Sequence, residues 1–294
     1  MLVAMHLRGS TGDERVVMRD LDEQQFHLWA SLLEQRLGIA VTDERRVFLS
    51  SRLRMRMRAL GCEDIESYYS LVSSPREGSQ EWSRLLDQIT IHETRFNRHP
   101  GSFRLIEEVY LPQLMQRVGQ PPDVRAWSVG CASGEEAYYL AMVLDRAMSA
   151  QEQKGYYGVI GSDISLEVLS QARLGIYPHT RLVNLDSEML ESYFEPHEDL
   201  YRVVDRIRQR VAFSQVNVQN LAHVPFEKMD IIFCQNLLIY FSMEKRREIV
   251  GALSQFLKPG GMLVLGIGEI VGWRPEGVET VKFEDTLAYR RVKG

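Results

Sequence analysis

Three acidic residues and one arginine stand where they could do chemistry. Glu135 and Glu136 close the run Gly130-Cys131-Ala132-Ser133-Gly134-Glu135-Glu136, Asp163 ends the apolar stretch GVIGSDI, and Arg98 lies upstream in ITIHETRFNRHP. Glycines permit a tight turn and a close approach of backbone to a ligand. The run still departs from the dinucleotide fingerprint G-x-G-x-x-G, because Ala132 fills the middle glycine position and Glu135 the third. Two acids opening a helix also repel a diphosphate, whose place is a helix N-terminus. A cationic or zwitterionic ligand fits better. Asp163 can accept both hydroxyls of a ribose, and it can equally cap the helix that follows. Arg98 can hold a carboxylate through two charge-assisted bonds.

Residues so far apart need a scaffold that gathers them at one edge. From Val124 strands alternate with helices: VRAWSV, a helix over Gly134–Met148, GVIGSDI, a helix over Leu166–Leu174, MDIIFCQN and a helix over Met243–Leu257. A tight turn at Lys258-Pro259-Gly260-Gly261, the strand MLVLGIG and a closing pair of strands over Val278–Val292 complete the series. The pattern predicts an α/β fold with a doubly wound, mostly parallel sheet. Such sheets bind ligands at the carboxyl ends of strands, where strand order reverses. A glycine turn and a strand-end acid there, without a diphosphate signature, point to S-adenosylmethionine, which carries a ribose and a sulfonium. The stretch Pro178–Phe213 breaks the rhythm and reads as an insertion.

A small helical domain over residues 23–91 precedes the sheet, behind a polar arm over 1–22. Phe26, Trp29 and Leu33 fall at helical spacing, and Gly38 ends that helix. Thr42 can cap a second helix running to Gly61, with Leu49, Leu53, Met57 and Leu60 in one sector toward a core. Arg45, Arg52 and Arg56 share a neighbouring sector, and residues 43–60 hold six arginines against two acids. That face is either simply solvated or a docking surface for an acidic partner. Shorter helical patterns cover Glu63–Val72 and Glu81–Ile91.

Composition narrows the class. The chain has 294 residues, 45% hydrophobic and 26% charged, as soluble globular proteins do. No apolar run approaches the roughly 20 residues that span a bilayer, and Met1–Met5 is too short for a signal-peptide core, so cytoplasmic residence and no membrane insertion are expected. A net charge of -5 disfavours nucleic acid as a partner. Cys62, Cys131 and Cys234 form no C-x-x-C pair, so neither a disulfide framework nor a metal site is expected.

The segments RAWSVGCASGEEAYYLAM, VIGSDISLEVLSQARLGIY, DIIFCQNLLIYF and LKPGGMLVLG resemble, in order, the successive motifs of the CheR family of chemoreceptor glutamate methyltransferases. ITIHETRFNRHP resembles that family's N-E-T-x-F-F-R segment, and the likeness covers roughly residues 24–290. The resemblance implies a small N-terminal helical domain, then a class I methyltransferase domain over 92–294 with a small β-subdomain inserted at 178–213. It implies S-adenosylmethionine as cofactor and the cytoplasmic methylation region of chemoreceptors as partner, in chemotaxis or in the branch serving pilus-based motility.

Carried over residue by residue, His92, Thr94, Arg98, Gly130, Glu135, Asp163, Asn220, Leu221, Gln235 and Asn236 would contact the cofactor. Glu135 would meet the methionine amino end, Asp163 the ribose. Arg98 would also hold the incoming glutamate, and Tyr240 would lie close to the transferred methyl, although LLIYF can equally be core. Arg45, Arg52 and Arg56 would dock the acidic receptor bundle. His92, Asn97 and Gln235 replace the family's Asn, Phe and Arg, which leaves open an adaptor with weakened catalysis or a methyltransferase of another substrate. In some members the β-subdomain grips a receptor tail with a glycine-rich loop. YFEPHEDLYRVV has no glycine, so no such tether is expected.

Overall fold

The computed structural model describes residues 20–90, 93–118, 123–149 and 155–292; most of the polar arm, Ile91 and His92 lie outside the described residues. Four helices come first: α1 (Glu23–Leu37), α2 (Arg46–Leu60), α3 (Ile65–Ser73) and α4 (Ser79–Ile89). Asp22 and Gln25 form a reciprocal capping box on α1, and Gly38 ends it at φ 69°. Phe26, Trp29, Leu53, Met57, Tyr68 and Leu85 interlock as the core. Leu21 is buried with them and Arg54 pairs with Asp20, so this domain begins ahead of the boundary expected at residue 23.

The second helix corrects three expectations. Thr42 makes no backbone cap; its hydroxyl bonds Glu44, and a 3-10 turn over Asp43–Arg45 leads into α2. Leu60 is exposed, because α2 ends there and the chain turns away through left-handed Gly61. Arg56 is not on a docking face. Its Nε and Nη2 meet the buried Glu81 carboxylate at 2.9 and 2.7 Å, and the Tyr68 hydroxyl donates to the same group at 2.8 Å. The sector geometry that grouped the three arginines could not show that α4 lies against one edge of it. Removing one partner of a buried pair strands the other charge, so Arg56→Met is expected to cost about 3 kcal/mol of stability, read by chemical denaturation.

The helices α5 (Pro100–Arg104) and α6 (Leu111–Val118), joined by a π-helical turn over Leu105–Tyr110, lead to the sheet. There follow β1 (Asp123–Val129), α7 (Glu135–Ser149), β2 (Tyr156–Asp163), α8 (Leu166–Leu174), β3 (Ile176–Tyr177), α9 (Ser187–Tyr193), β4 (Phe194–His197), β5 (Leu200–Val203), α10 (Asp205–Arg208) and β6 (Val211–Gln215). The chain closes with β7 (Met229–Cys234), α11 (Met243–Gln255), β8 (Leu257–Leu265), β9 (Val278–Val281) and β10 (Leu287–Arg291). The main sheet runs β6-β2-β1-β7-β8-β10-β9, parallel through β8 and antiparallel beyond it. Every residue of β7 is buried, as a strand covered on both faces requires.

Two boundaries differ from the sequence reading. The inserted β-subdomain is the small sheet β3-β5-β4, which starts at Ile176; β6, which begins within the expected 178–213 segment and runs past its end, pairs instead with β2 at the edge of the main sheet. The Lys258–Gly261 turn is a bulge inside β8: Met229 pairs with Leu257 and Ile231 with Met262, so the ladder continues past it. No helix among the described residues is long and apolar enough to cross a membrane.

Candidate active site

The chain works outward from β1 to β2 and β6, then returns to the other side of β1 as β7. The carboxyl ends of β1 and β7 therefore frame the crevice where strand order reverses, and a cavity of about 390 Å³ opens there. That volume is in the range of small-molecule sites. The helical domain forms its far wall through Leu37, Ile39 and Ile89. Its attachment is specific: Ala40 N–H donates to the Tyr240 carbonyl at 3.1 Å, Asn217 Nδ2 to the Arg36 carbonyl at 3.0 Å, and Ser165 Oγ to Asp87 Oδ1 at 2.5 Å.

Asp163 sits at the end of β2, and its two oxygens accept from Ala132 N–H and Ser165 N–H, each at 3.0 Å. The helix-cap alternative goes to Ser165, whose hydroxyl accepts from Val168 N–H. Ala132 reaches Asp163 from φ 47°, a left-handed conformation that ordinarily favours glycine. The strained turn thus aims a backbone donor at the acid instead of at a phosphate. Asp163 itself lines the cavity at this strand end.

The two glutamates divide their tasks. Glu136 lines the cavity, with Ser128 Oγ donating to it at 2.7 Å. Burial pushes its carboxyl up to about 7, opposed by the Ser128 bond and aided by the charge of Glu269. Glu135 lies fully buried outside the cavity lining, bonded to Ser133 Oγ at 2.8 Å and 3.8 Å from Arg181 Nε. Burial raises its pKa too. Adjacent helical residues project about 100° apart: Glu136 lines the cavity, and Glu135 lies behind the lining with its buried Oε1 lacking a hydrogen-bond partner among the described residues.

A similar shift affects the segment after β6. Asn217 and Val218 line the cavity, whereas Asn220 and the buried Leu221 do not. Val216 N–H donates to the Asp163 carbonyl at 3.0 Å, which carries the chain along the strand end and delivers the next residues to the cavity. Position relative to the end of β6 was the signal that could have identified Asn217.

Gly130, Gln235, Asn236, Thr94, Arg98 and Tyr240 all line the cavity. A Cβ at Gly130 would stand 3.1 Å from Leu237 Cδ2, and its φ is 73°, so the turn after β1 requires glycine. Gln235 donates to Ser102 Oγ at 2.8 Å and to the Leu265 carbonyl at 3.2 Å; its buried Oε1 has no partner among the described residues. Asn236, at φ 61°, bonds His99 at 2.8 Å. Arg98 Nη1 donates to the Glu93 carbonyl at 2.6 Å. Arg45 turns inward to lie 5.3 Å from the Tyr240 ring centre, and burial raises the Tyr240 hydroxyl's pKa.

Known proteins resemble this chain over both of its parts. A family described as "CheR methyltransferase, SAM binding domain" matches residues 92–286, and "CheR methyltransferase, all-alpha domain" matches residues 24–90. The chain belongs to the CheR methyltransferase family. A chemotaxis protein methyltransferase from Escherichia coli is 34% identical over 85% of this chain and 85% of its own. Chemotaxis protein methyltransferase 1 of Pseudomonas aeruginosa is 30% identical over 90% of this chain and 97% of its own, and a chemotaxis protein methyltransferase from Borreliella burgdorferi 28% over 80% and 83%.

The cavity of this CheR chain fits S-adenosylmethionine. Asp163 and Glu136 bring two carboxyl groups to its lining, and Ile164, Val216 and Val218 an apolar wall. The unpartnered Gln235 Oε1 is a further acceptor whose burial without a bond costs free energy.

Proposed function

We propose that this chain methylates glutamate side chains on the cytoplasmic methylation region of chemoreceptors, using S-adenosylmethionine and acting in the cytoplasm to adapt chemotaxis or motility signalling. The observation that carries the reading is one cavity holding both ligand chemistries: Asp163 and Glu136 for the cofactor, and Arg98 for a carboxylate. S-adenosylmethionine supplies a methyl group already activated as a sulfonium. A glutamate acceptor is ionised at neutral pH, so this chain needs no general base. Its tasks are to align the acceptor and exclude water, which solvates separated charges and opposes their merging. The helical domain wall serves the second task. Calorimetric titration with S-adenosylhomocysteine, followed by a base-labile methyl-ester assay on receptor fragments, tests the proposal. A folded protein that binds no S-adenosylhomocysteine would overturn it in favour of an adaptor.

Glu136 gives binding a pH dependence. A carboxyl raised to about 7 is partly protonated in the empty cavity at neutral pH, and an ammonium beside it favours the ionised form. Binding therefore releases a proton below that pKa, and affinity rises with pH. The dissociation constant for S-adenosylhomocysteine is expected to fall about tenfold from pH 6 to 8. Buffer-dependent calorimetric enthalpies report the proton, and Glu136→Gln should flatten the profile.

Receptor docking is assigned to Arg52, half-exposed over the Phe48 ring, with exposed Arg58 on the same helix. Arg45 serves the cavity mouth and Arg56 the domain interior. Arg52→Glu should weaken binding to an acidic receptor fragment several-fold at low salt, and the difference should shrink at high salt. The β4–β5 hairpin turns through Glu198, at φ 53°, without glycine, and a receptor-tail grip is not part of this proposal.

A further inference from the structure

Glu269 is a buried carboxylate outside the cavity lining, close enough for its charge to act on Glu136. It is 1% exposed, in the loop that follows β8. One oxygen accepts from Leu238 N–H at 2.9 Å and the other from Gly266 N–H at 2.7 Å. Leu238 opens the single 3-10 turn Leu238–Tyr240, which places Tyr240 on the cavity wall. The carboxylate therefore ties the loop after β8 to the turn after β7. Gly266 records how closely it sits, since a Cβ there would lie 2.6 Å from Glu269 Oε2.

A second clamp acts on the same turn. The Arg246 guanidinium, at the start of α11, donates to the carbonyls of Phe241 at 2.9 Å, Glu269 at 3.1 Å and Ile239 at 3.3 Å. The carboxylate takes an N–H of the turn, and the guanidinium takes the Ile239 carbonyl within it and the Phe241 carbonyl that follows, so both backbone polarities are held from outside. A three-residue 3-10 turn has too few internal bonds to hold itself.

We propose that Glu269 is a positioning residue, which with Arg246 fixes the Leu238–Tyr240 turn so that Tyr240 stands at the methyl-transfer centre. The inference rests on the methyltransferase reading above and assigns this buried carboxylate a part in turnover. Glutamine in its place keeps the shape, but its amide group can accept at only one of the two positions, leaving a donor facing a donor. An aspartate is one methylene too short to span both N–H groups.

Glu269→Gln is expected to lower turnover on a receptor fragment about 10- to 100-fold, the scale of an ångström-sized misplacement. S-adenosylhomocysteine affinity should change less than about threefold, because the cofactor-facing Asp163 and Glu136 stay in place. In a Tyr240→Phe background the same substitution should cost little more, since it acts through Tyr240. A readout without substrate is the fluorine NMR signal of 3-fluorotyrosine at position 240, identified by its loss in Tyr240→Phe. That signal should shift or broaden in Glu269→Gln. If Glu269→Gln does not fold, Arg246→Met tests the second clamp at a partly exposed site, with the same expectations.

An unmoved signal, or equal losses in the wild-type and Tyr240→Phe backgrounds, would overturn the positioning role. A moved signal with unchanged turnover would overturn it as well. If Tyr240→Phe is then also fully active, the failure lies in the part given to Tyr240; if wild type binds no S-adenosylhomocysteine, it lies in the methyltransferase reading itself.

Discussion

Asp163→Ala is expected to weaken S-adenosylhomocysteine binding at least about 100-fold, because each hydrogen bond to a charged group contributes about 1.5–3 kcal/mol and a ribose takes two. A second cost falls on the protein. Ala132 N–H and Ser165 N–H both lose their acceptor, and Ala132 is held at φ 47° by that bond. The loop after β1 is then free to relax out of its left-handed conformation, taking Gly130 and the start of α7 from their places. Asp163→Asn separates the two effects, since its amide can still accept from one N–H. Calorimetry should rank wild type above Asn and Asn above Ala. Equal affinity in all three would remove Asp163 from the cofactor site.

Arg98→Ala is expected to lower turnover about 100- to 1000-fold while S-adenosylhomocysteine affinity changes far less. The guanidinium lines the cavity and is anchored through Nη1 to the Glu93 carbonyl. That bond uses one of its five donors and leaves the planar edge for an acceptor carboxylate. Losing a two-bond clamp forfeits the orientation that makes attack effectively unimolecular. Arg98→Lys retains the charge without the fork, so it should recover affinity for the receptor fragment better than it recovers turnover. Single-turnover rates with saturating receptor fragment separate the two; wild-type rates in Arg98→Ala would sink the role.

Much of the molecule is legible in the sequence because it is local. The period of the apolar residues shows the alternating strands and helices. Gly38 marks the end of α1, and the apolar run IIFC within MDIIFC announces a strand buried on both faces. The ordered motifs carry the family, since each follows the carboxyl end of a strand and must meet the others there. Glu135 and Asp163 could be singled out by charge type and placement alone, whereas Arg98 came with the family resemblance.

Where the structure departs from the sequence reading, one cause recurs. Whether Glu135 or Glu136 faces the crevice depends on the rotation of α7 about its axis, which is settled by packing on β2 and by Arg181, more than forty positions away in the chain. Asn217 replaces Asn220 because β6 ends where its ladder with β2 ends. Arg56 leaves the supposed docking face because α4 brings Glu81 to it, and Arg45 turns to Tyr240 because the helical domain closes over the sheet edge. Glu269 carries no mark in the sequence, being one acid among forty. Short-range periodicity and turn chemistry set the elements, their order, the family and the types of residue at the crevice, and all of these can be read along the chain. Which member of each candidate pair lines the cavity is settled by long-range contacts that fix helix rotation and strand register, and those exist only in the folded molecule.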